Sequence, residues 1–158
     1  MQRIEVQAAL AAAVEEVLET MCFSAVFSSS EAVFPAAAPP KANDGSVLMA
    51  RLRFDGNPSG EFRLAIGMKP ARMVGSGFLG KEEEEISDEQ TGEVVCELAN
   101  MFCGSALSRL EAQTTFRLSH PELVAAESGT PFELTGIARW FELESGSLAA
   151  SLSFPQAL

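Results

Sequence analysis

The feature that most constrains the fold is a run of apolar residues at spacings of three and four between positions 88 and 111. Such spacing places one side of an α-helix in a hydrophobic core. The predicted core side consists of Val95, Leu98, Ala99, Phe102, Ala106 and Leu110. Ser87 precedes the run and Gln90 follows three residues later, the pattern of an N-terminal capping box. The sequence therefore predicts a long amphipathic helix that must pack against other elements.

A second helical pattern occupies residues 2–27, with a predicted apolar stripe at Ile4, Ala8, Ala11, Val14, Leu18, Met21 and Ala25. Between the two long helices, residues 48–54 and 62–66 alternate apolar and polar side chains on either side of a turn that contains Gly and Pro. This pattern predicts a β-hairpin. Pro70 then opens a predicted short helix that ends near Gly80.

The rest of the chain supplies a connection and further strands. Residues 28–45 are rich in Ser, Ala and Pro and are predicted to form a loop. Residues 114–119 are a predicted strand that stops at Pro121, and residues 132–143 and 147–154 form a second predicted hairpin. The expected fold is a single α+β domain over all 158 residues, with two long helices and a short one packed on an antiparallel sheet.

The charge of the chain narrows its range of partners. The formal net charge is −11, from 11 Lys and Arg residues against 22 Asp and Glu residues. Few cations are available to neutralise phosphates, which disfavours both a nucleic acid and an anionic membrane surface. The first residues lack the apolar core of a signal peptide, and no stretch reaches the roughly 18 apolar residues of a membrane span. The predicted location is the cytoplasm.

Cysteine, histidine and tryptophan give no independent sign of a catalytic centre. Cys22, Cys96 and Cys103 form no CxxC pair and are interpreted as small buried hydrophobic residues, with no metal site. The single histidine, His120, precedes a proline near a predicted strand end and is interpreted as a structural or surface residue. Trp140 lies in an apolar strand and is predicted to be part of the core.

The two long helices resemble each other. Residues 16–25 align without gaps with residues 97–106, and four positions are identical. This match indicates a weak internal duplication, although two alanine-rich helices can also match by chance. The first copy has Glu19 where the second has Asn100.

The side of the second long helix opposite its core carries Glu93, Glu97, Asn100, Gly104 and Glu111. In a helix Asn costs about 0.5 kcal/mol and Gly about 1 kcal/mol relative to Ala, so neither residue is chosen for stability. Val94 and Met101 flank this polar stripe with apolar surface. The stripe is thus typical of a docking surface. The alternative is that Gly104 packs against the first long helix and Asn100 bonds a neighbouring loop.

The sequence of residues 96–106, CELANMFCGSA, resembles the E-x-x-N helix of the CheC, CheX and FliY phosphatase family, most nearly the single-site CheX branch. The preceding hairpin with Gly60, the short helix at Pro70, the acidic run 82–85 and the Leu-Ser-His-Pro sequence at 118–121 agree with that family. Some branches carry Asp or Ser where this chain has Glu93, so a supporting role for that position is not carried over. Because Glu19 replaces Asn in the first helix, one functional site is expected.

The resemblance implies a phosphatase that hydrolyses the aspartyl phosphate of a CheY-like receiver domain. Glu97 would pair with a lysine of the receiver, and Asn100 would orient the attacking water. Glu93, Met101 and Gly104 would contact the partner. The chain is expected to need no cofactor of its own, with Mg²⁺ bound by the receiver, and to form a homodimer.

Two alternative functions stand beside this one. A non-catalytic adaptor could hold a receiver or another signalling partner on the same helix face without hydrolysis. A structural part of a flagellar switch complex would need a different contact surface and a larger oligomer.

Overall fold

A computed structural model of the chain describes residues 2–32, 47–56, 58–110, 116–124 and 136–154. The described helices are α1 (Arg3–Met21), α2 (Met68–Leu79) and α3 (Asp88–Leu110), with a 3₁₀ turn at Glu83–Glu85. The described strands are β1 (Ser28–Ala32), β2 (Val47–Asp55), β3 (Gly60–Gly67), β4 (Arg117–Leu118), β5 (Glu122–Val124), β6 (Ile137–Leu143) and β7 (Gly146–Ser153).

The strands form one antiparallel sheet of seven strands within the described residues. Its order is β1-β6-β7-β3-β2, and the short strands β4 and β5 both pair with the outer side of β2. The two hairpins β2–β3 and β6–β7 lie beside each other because β3 pairs with β7, with Leu64 opposite Ala150. The sheet is therefore assembled from two predicted hairpins and three added strands.

One face of the sheet packs against the three helices. Side chains alternate between faces along each strand, so that Leu52, Phe54 and Phe62 point to the helices together with Phe141. Phe102 of α3 is fully buried among them. Burial of each such side chain stabilises the fold by about 1.5–3 kcal/mol. This two-layer α+β architecture confirms the predicted fold class.

Local sequence signals were accurate for α3 and for the hairpins. The backbone N–H of Gln90 donates to Ser87 Oγ at 3.0 Å, and the backbone N–H of Ser87 donates to Gln90 Oε1 at 3.0 Å. The predicted capping box is therefore present. Helix α2 begins at Met68, two residues before the predicted start at Pro70.

None of the helices in the described ranges is long and apolar enough to cross a membrane.

The prediction for the first helix was wrong at its C-terminal end. Helix α1 stops at Met21 instead of continuing to residue 27, because Phe23 adopts a left-handed conformation with φ 54°. Residues 28–32 then form β1, which pairs with β6, instead of the start of a loop. The remainder of the predicted loop, residues 33–45, lies outside the described residues.

The predicted apolar stripe of α1 was also largely wrong. Val14 and Leu18 are buried, but Ile4 is 79% exposed and Met21 is 41% exposed. The buried side instead contains Val6, Gln7, Ala9, Leu10, Ala13, Val14, Val17 and Leu18. Because α1 is rich in alanine on several sides, its periodicity does not single out one stripe. The side of α1 that is buried depends on contacts with the sheet. One of them is made by Gln7, whose buried Nε2 donates to the Ala138 carbonyl of β6 at 2.9 Å.

Three further predictions need correction. The predicted strand stops before Pro121 as expected, but its described part covers only Arg117–Leu118, and a strand that was not predicted, β5, follows Pro121 and pairs with β2. Trp140 is half-buried and packs against a small alanine cluster instead of the main core. Cys22 and Cys103 are buried as expected, whereas Cys96 is only half-buried.

Some corresponding residues of the two matched helical segments share their burial, whereas Met21 is 41% exposed and the aligned Phe102 is fully buried. Val17 and Leu98 are both buried, as are Cys22 and Cys103. The next aligned pair differs, because Phe23 ends α1 while Gly104 continues α3. The internal duplication stays a prediction.

Candidate functional site

Helix α3 presents its predicted polar stripe at the surface. Glu93 and Glu97 are exposed, and Asn100 and Gly104 are half-buried. The opposite side is buried as predicted, except that Leu110 is only half-buried; Glu111 lies outside the described residues. Val94 was predicted to flank the polar stripe with apolar surface, but it is buried in the core. On that side Val94 therefore gives the stripe no exposed apolar border.

The segment of residues 118–121 lies across from this stripe and is held by β2. The backbone N–H of Ser119 donates to the Arg53 carbonyl at 2.8 Å, and the backbone N–H of Arg53 donates to Ser119 Oγ at 2.8 Å. Strands β4 and β5, which bound the segment, both pair with β2. The segment is therefore fixed at both ends and at one point between them.

An open depression of about 280 Å³ separates α3 from this segment. Its lining consists of Glu97, Asn100, Leu118, Ser119, His120 and Pro121. The structure thus brings Glu97 and Asn100 together in one site. It also adds His120, which sequence reasoning had interpreted as a structural or surface residue. The Leu-Ser-His-Pro sequence could have indicated that His120 belongs to the site, but only through the family resemblance.

The two predicted site residues have free side chains. Within the described part of the chain, neither the Glu97 carboxylate nor the Asn100 amide has a hydrogen-bonding or ion-pairing partner. The alternative that Asn100 bonds a neighbouring loop therefore finds no support in these residues. An amide can donate and accept at once, and a carboxylate can accept from a cation, so both groups are available to a partner or to water.

Gly104 and Met101 lie one turn or less beyond Asn100. A Cβ atom at Gly104 would meet only Leu118 Cδ2 at 3.9 Å, an ordinary van der Waals contact. Gly104 therefore faces the 118–121 segment, not α1, and that part of the alternative interpretation was wrong. Met101 is half-buried and packs against the core. Glu93 is exposed one turn before Glu97 but does not line the depression.

The thiol nearest the site is not poised for nucleophilic chemistry. Burial raises the pKa of Cys96, and the negative charges of Glu97, Glu122 and Glu93 raise it further. The thiol is thus protonated at neutral pH, and a thiol is a poor nucleophile. Among the residues that the structure describes, no group of three or more His, Cys, Asp or Glu could hold a metal ion. What these residues offer is hydrogen bonding and charge.

Comparison with known proteins connects this site to a family. Residues 48–137, more than half of the chain, match the family model described as chemotaxis phosphatase CheX. This range contains α3, β4 and β5 and therefore the whole lining of the depression. None of the curated proteins matches the sequence.

Solved structures agree with this match in fold. The chain is similar to the chemotaxis protein CheX of Desulfovibrio desulfuricans, with 22% identity, coverage of 95% of this chain and 99% of that chain, and a TM-score of 0.69. A chemotactic CheC-like protein of Shewanella oneidensis is 16% identical, with 97% and 99% coverage and a TM-score of 0.70.

A third similar structure is a complex of CheX with CheY, BeF₃ and Mg²⁺ from Borrelia burgdorferi. The matched chain is 16% identical, with coverage of 93% of this chain and 97% of that chain and a TM-score of 0.65. At these identities the structures establish the shared fold, and the family model establishes membership. The chain belongs to the chemotaxis phosphatase CheX family.

Proposed function

We propose that this protein hydrolyses the aspartyl phosphate of a CheY-like receiver domain, with Asn100 orienting the attacking water and Glu97 docking the receiver. The observation that carries the proposal is the placement of Glu97 and Asn100 in one open depression. They are three residues apart on α3 and hence neighbours on the helix surface. Membership of a family described as chemotaxis phosphatases supports the same reaction.

Phosphoryl transfer requires little covalent chemistry from a protein. It needs a nucleophile in line with the breaking P–O bond and neutralisation of charge on the phosphoryl oxygens. The polar groups that line the depression, a carboxylate, an amide, a hydroxyl and an imidazole, are suited to such positioning. The receiver would supply the phosphorylated Asp, the Mg²⁺ and a lysine, and this chain would supply an amide and a carboxylate.

Asn100 suits the water-positioning role because its amide is neutral and has both a donor and an acceptor. An Asp at this position would bring a negative charge towards the phosphoryl dianion and repel it. Glu97 suits docking because an exposed carboxylate without a partner in the described residues is free to pair with a lysine. The crystallised Borrelia complex of CheX with CheY supports a receiver as the partner.

The decisive measurement is phosphate release from Mg²⁺-loaded phosphorylated receiver domains of the source organism. We expect wild-type protein to accelerate release and Asn100→Ala and Asn100→Asp to lose at least about 100-fold of that acceleration, as expected for loss of a positioned water. Thermal melting should show that both variants fold as wild type does, because Asn100 makes no hydrogen bond within the described residues.

Binding measurements separate this function from the adaptor alternative. If receivers bind tightly but no receiver loses phosphate faster than it does alone, the protein is an adaptor and the phosphatase proposal is wrong. If phosphate release is accelerated equally by wild type and Asn100→Ala, the activity exists but the assigned residue is wrong.

The role of Glu97 is tested by Glu97→Gln, which keeps the shape of the side chain and removes its charge. Loss of a charged contact should raise the KM for the phosphorylated receiver about tenfold and change kcat by less than about threefold. Glu89→Gln is the matched control, because it removes the same charge about two turns earlier on α3, from an exposed residue that does not line the depression. A fall in kcat at saturating receiver, with unchanged affinity, would contradict a docking role.

A further inference from the structure

His120 occupies a place that its sequence position did not reveal. Its side chain is exposed and lines the same depression as Glu97 and Asn100, on the opposite wall. The wall is rigid at this point, because the neighbouring residue Ser119 is bonded to Arg53 of β2 in both directions. Pro121 on the other side has a fixed φ angle. The backbone that carries the imidazole is thus anchored on both sides of His120.

The lining of the depression lacks a fixed positive charge. It contains the carboxylate of Glu97, the amide of Asn100, the hydroxyl of Ser119, the imidazole of His120 and two apolar residues. A phosphorylated partner brings about two negative charges to this depression. Among the side-chain types in the lining, imidazole alone ordinarily becomes cationic near neutral pH. His120 therefore carries the side chain of this lining that can add a positive charge to those of the partner.

We propose that His120 contacts the phosphorylated partner and that its protonated imidazole strengthens binding of the phosphoryl-bearing form over the unphosphorylated form. The inference rests on the proposed function in so far as a receiver must occupy this depression. It adds a third partner-contacting residue to Glu97 and Asn100. The contribution belongs to binding, because the imidazole meets the partner from the wall opposite the water-positioning amide.

The other charged groups on the adjoining elements are carboxylates and guanidinium groups. They are Asp88, Glu89, Glu93, Glu97 and Arg109 of α3, Arg51, Arg53 and Asp55 of β2, Arg117 of β4 and Glu122 of β5. Glu122 pairs with Arg51 at 2.8 Å. Carboxylates and guanidinium groups do not ordinarily titrate between about pH 6 and pH 8.5, whereas an imidazole does. A change in affinity that depends on residue 120 therefore reports on His120 itself.

The test compares the affinity of wild type, His120→Gln and Arg117→Gln for a receiver loaded with Mg²⁺ and beryllofluoride, a stable phosphoryl mimic. Gln retains a donor near the imidazole nitrogen but cannot be cationic. At about pH 6 we expect His120→Gln to bind about tenfold more weakly than wild type, the size of one charge-assisted hydrogen bond. Near pH 8.5 the two should differ by less than about twofold, because a histidine side chain is ordinarily neutral there.

Arg117→Gln is the matched control, since Arg117 is exposed, lies three residues earlier and does not line the depression. Its affinity relative to wild type should be the same at both pH values. For the unloaded receiver, His120→Gln and wild type should bind equally. At saturating phosphorylated receiver, His120→Gln should keep kcat within about twofold of wild type, since the lost contact belongs to binding.

The inference is overturned if His120→Gln matches wild type at both pH values, or if it lowers kcat while leaving affinity unchanged. Two results together would separate the proposals: wild type binds the loaded receiver in a way that depends on His120, but it does not accelerate phosphate release. This outcome refutes the phosphatase proposal and supports the inference. Absence of any binding refutes both. His120→Gln is expected to fold as wild type does, because the side chain that it replaces is exposed.

Discussion

At the scale of the residue, the site is defined by side chains that the fold does not use. Glu97 is exposed, Asn100 is half-buried, and neither has an internal partner among the described residues. The other side of this helix is largely buried. An Asn in a helix is less favourable than Ala, and without a hydrogen bond it adds no compensating stabilisation to the fold. These positions are therefore best explained by an external contact.

The cysteines differ from Glu97 and Asn100, because burial makes their thiols unreactive. Burial raises the pKa of both Cys22 and Cys103 to about 12. Since the thiolate is the reactive form, a raised pKa means that these thiols stay protonated at neutral pH and ionise only in strongly alkaline solution. The half-buried Cys96 also has a raised pKa, from burial first and then from nearby carboxylates.

We therefore expect iodoacetamide at neutral pH to label Cys96 slowly, and Cys22 and Cys103 more slowly still. Labelling of Cys96 should accelerate as the pH rises. In urea all three should react at similar rates, which provides the control for intrinsic reactivity. Mass spectrometry of the digested protein gives the rate for each cysteine. Rapid labelling of Cys103 in the folded protein would show that its surroundings are more open than the structure has them.

At the scale of the element, two glycines in helices have opposite reasons to be there. Gly77 of α2 lies against the end of α1, and a Cβ atom there would come within 1.9 Å of the Cys22 carbonyl oxygen. That contact is with backbone, so it cannot be relieved by a side-chain rotation. A Cβ atom at Gly104 of α3 would meet only Leu118 at 3.9 Å. Gly77 is required by packing, and Gly104 is not.

The matched variants Gly77→Ala and Gly104→Ala test this difference. Gly77→Ala should lower the free energy of unfolding by about 1–3 kcal/mol through overpacking. Gly104→Ala should raise it by up to about 1 kcal/mol, because Ala is the better helix former. Urea denaturation gives both values.

If Gly104 is retained so that the partner can approach α3, Gly104→Ala should also weaken receiver binding although it stabilises the fold. Unchanged affinity in a stabilised Gly104→Ala variant would remove Gly104 from the docking surface. Lower stability of Gly104→Ala would show that its surroundings are tighter than described.

At the scale of the whole molecule, the sheet ends at one side in β1, which pairs only with β6 in the described part of the chain. An exposed edge strand presents unpaired backbone groups to a second chain. Homodimerisation, which the family resemblance implies, stays a prediction, and this edge is one route to it.

Light scattering coupled to size-exclusion chromatography measures the oligomeric state directly. We expect a mass of twice 16.8 kDa. Charged substitutions or Pro along β1 should shift the population to monomer if this edge forms the interface. A monomeric wild type at micromolar concentration would rule the dimer out, and an oligomer larger than a dimer would favour the switch-complex alternative.

Much of the local structure could be predicted because its causes are local. The capping box at Ser87 and Gln90 is made by residues three apart, and the core side of α3 follows from the helical period. The two hairpins follow from alternation on either side of short turns. For the same reason Glu97 and Asn100 could be placed on one helix surface before any tertiary structure was known.

Other features were decided by contacts between distant parts of the chain. The buried side of α1 depends on what it meets in the sheet, since its alanines offer no distinct stripe. Residues 28–32 become a strand because β6, more than a hundred positions later, pairs with them. A chain segment with weak local preference takes the structure that its long-range partner provides.

The sequence by itself determined α3, its capping, the hairpins and the polar pair Glu97 and Asn100, because each depends on residues a few positions apart. Only the tertiary structure decided that residues 118–121 form the opposite wall of the site and that His120 faces into it. That placement requires β4 and β5 to pair with β2, which lies more than sixty residues earlier. Pairing over such a distance has no local pattern, since it is selected by the packing of the whole sheet.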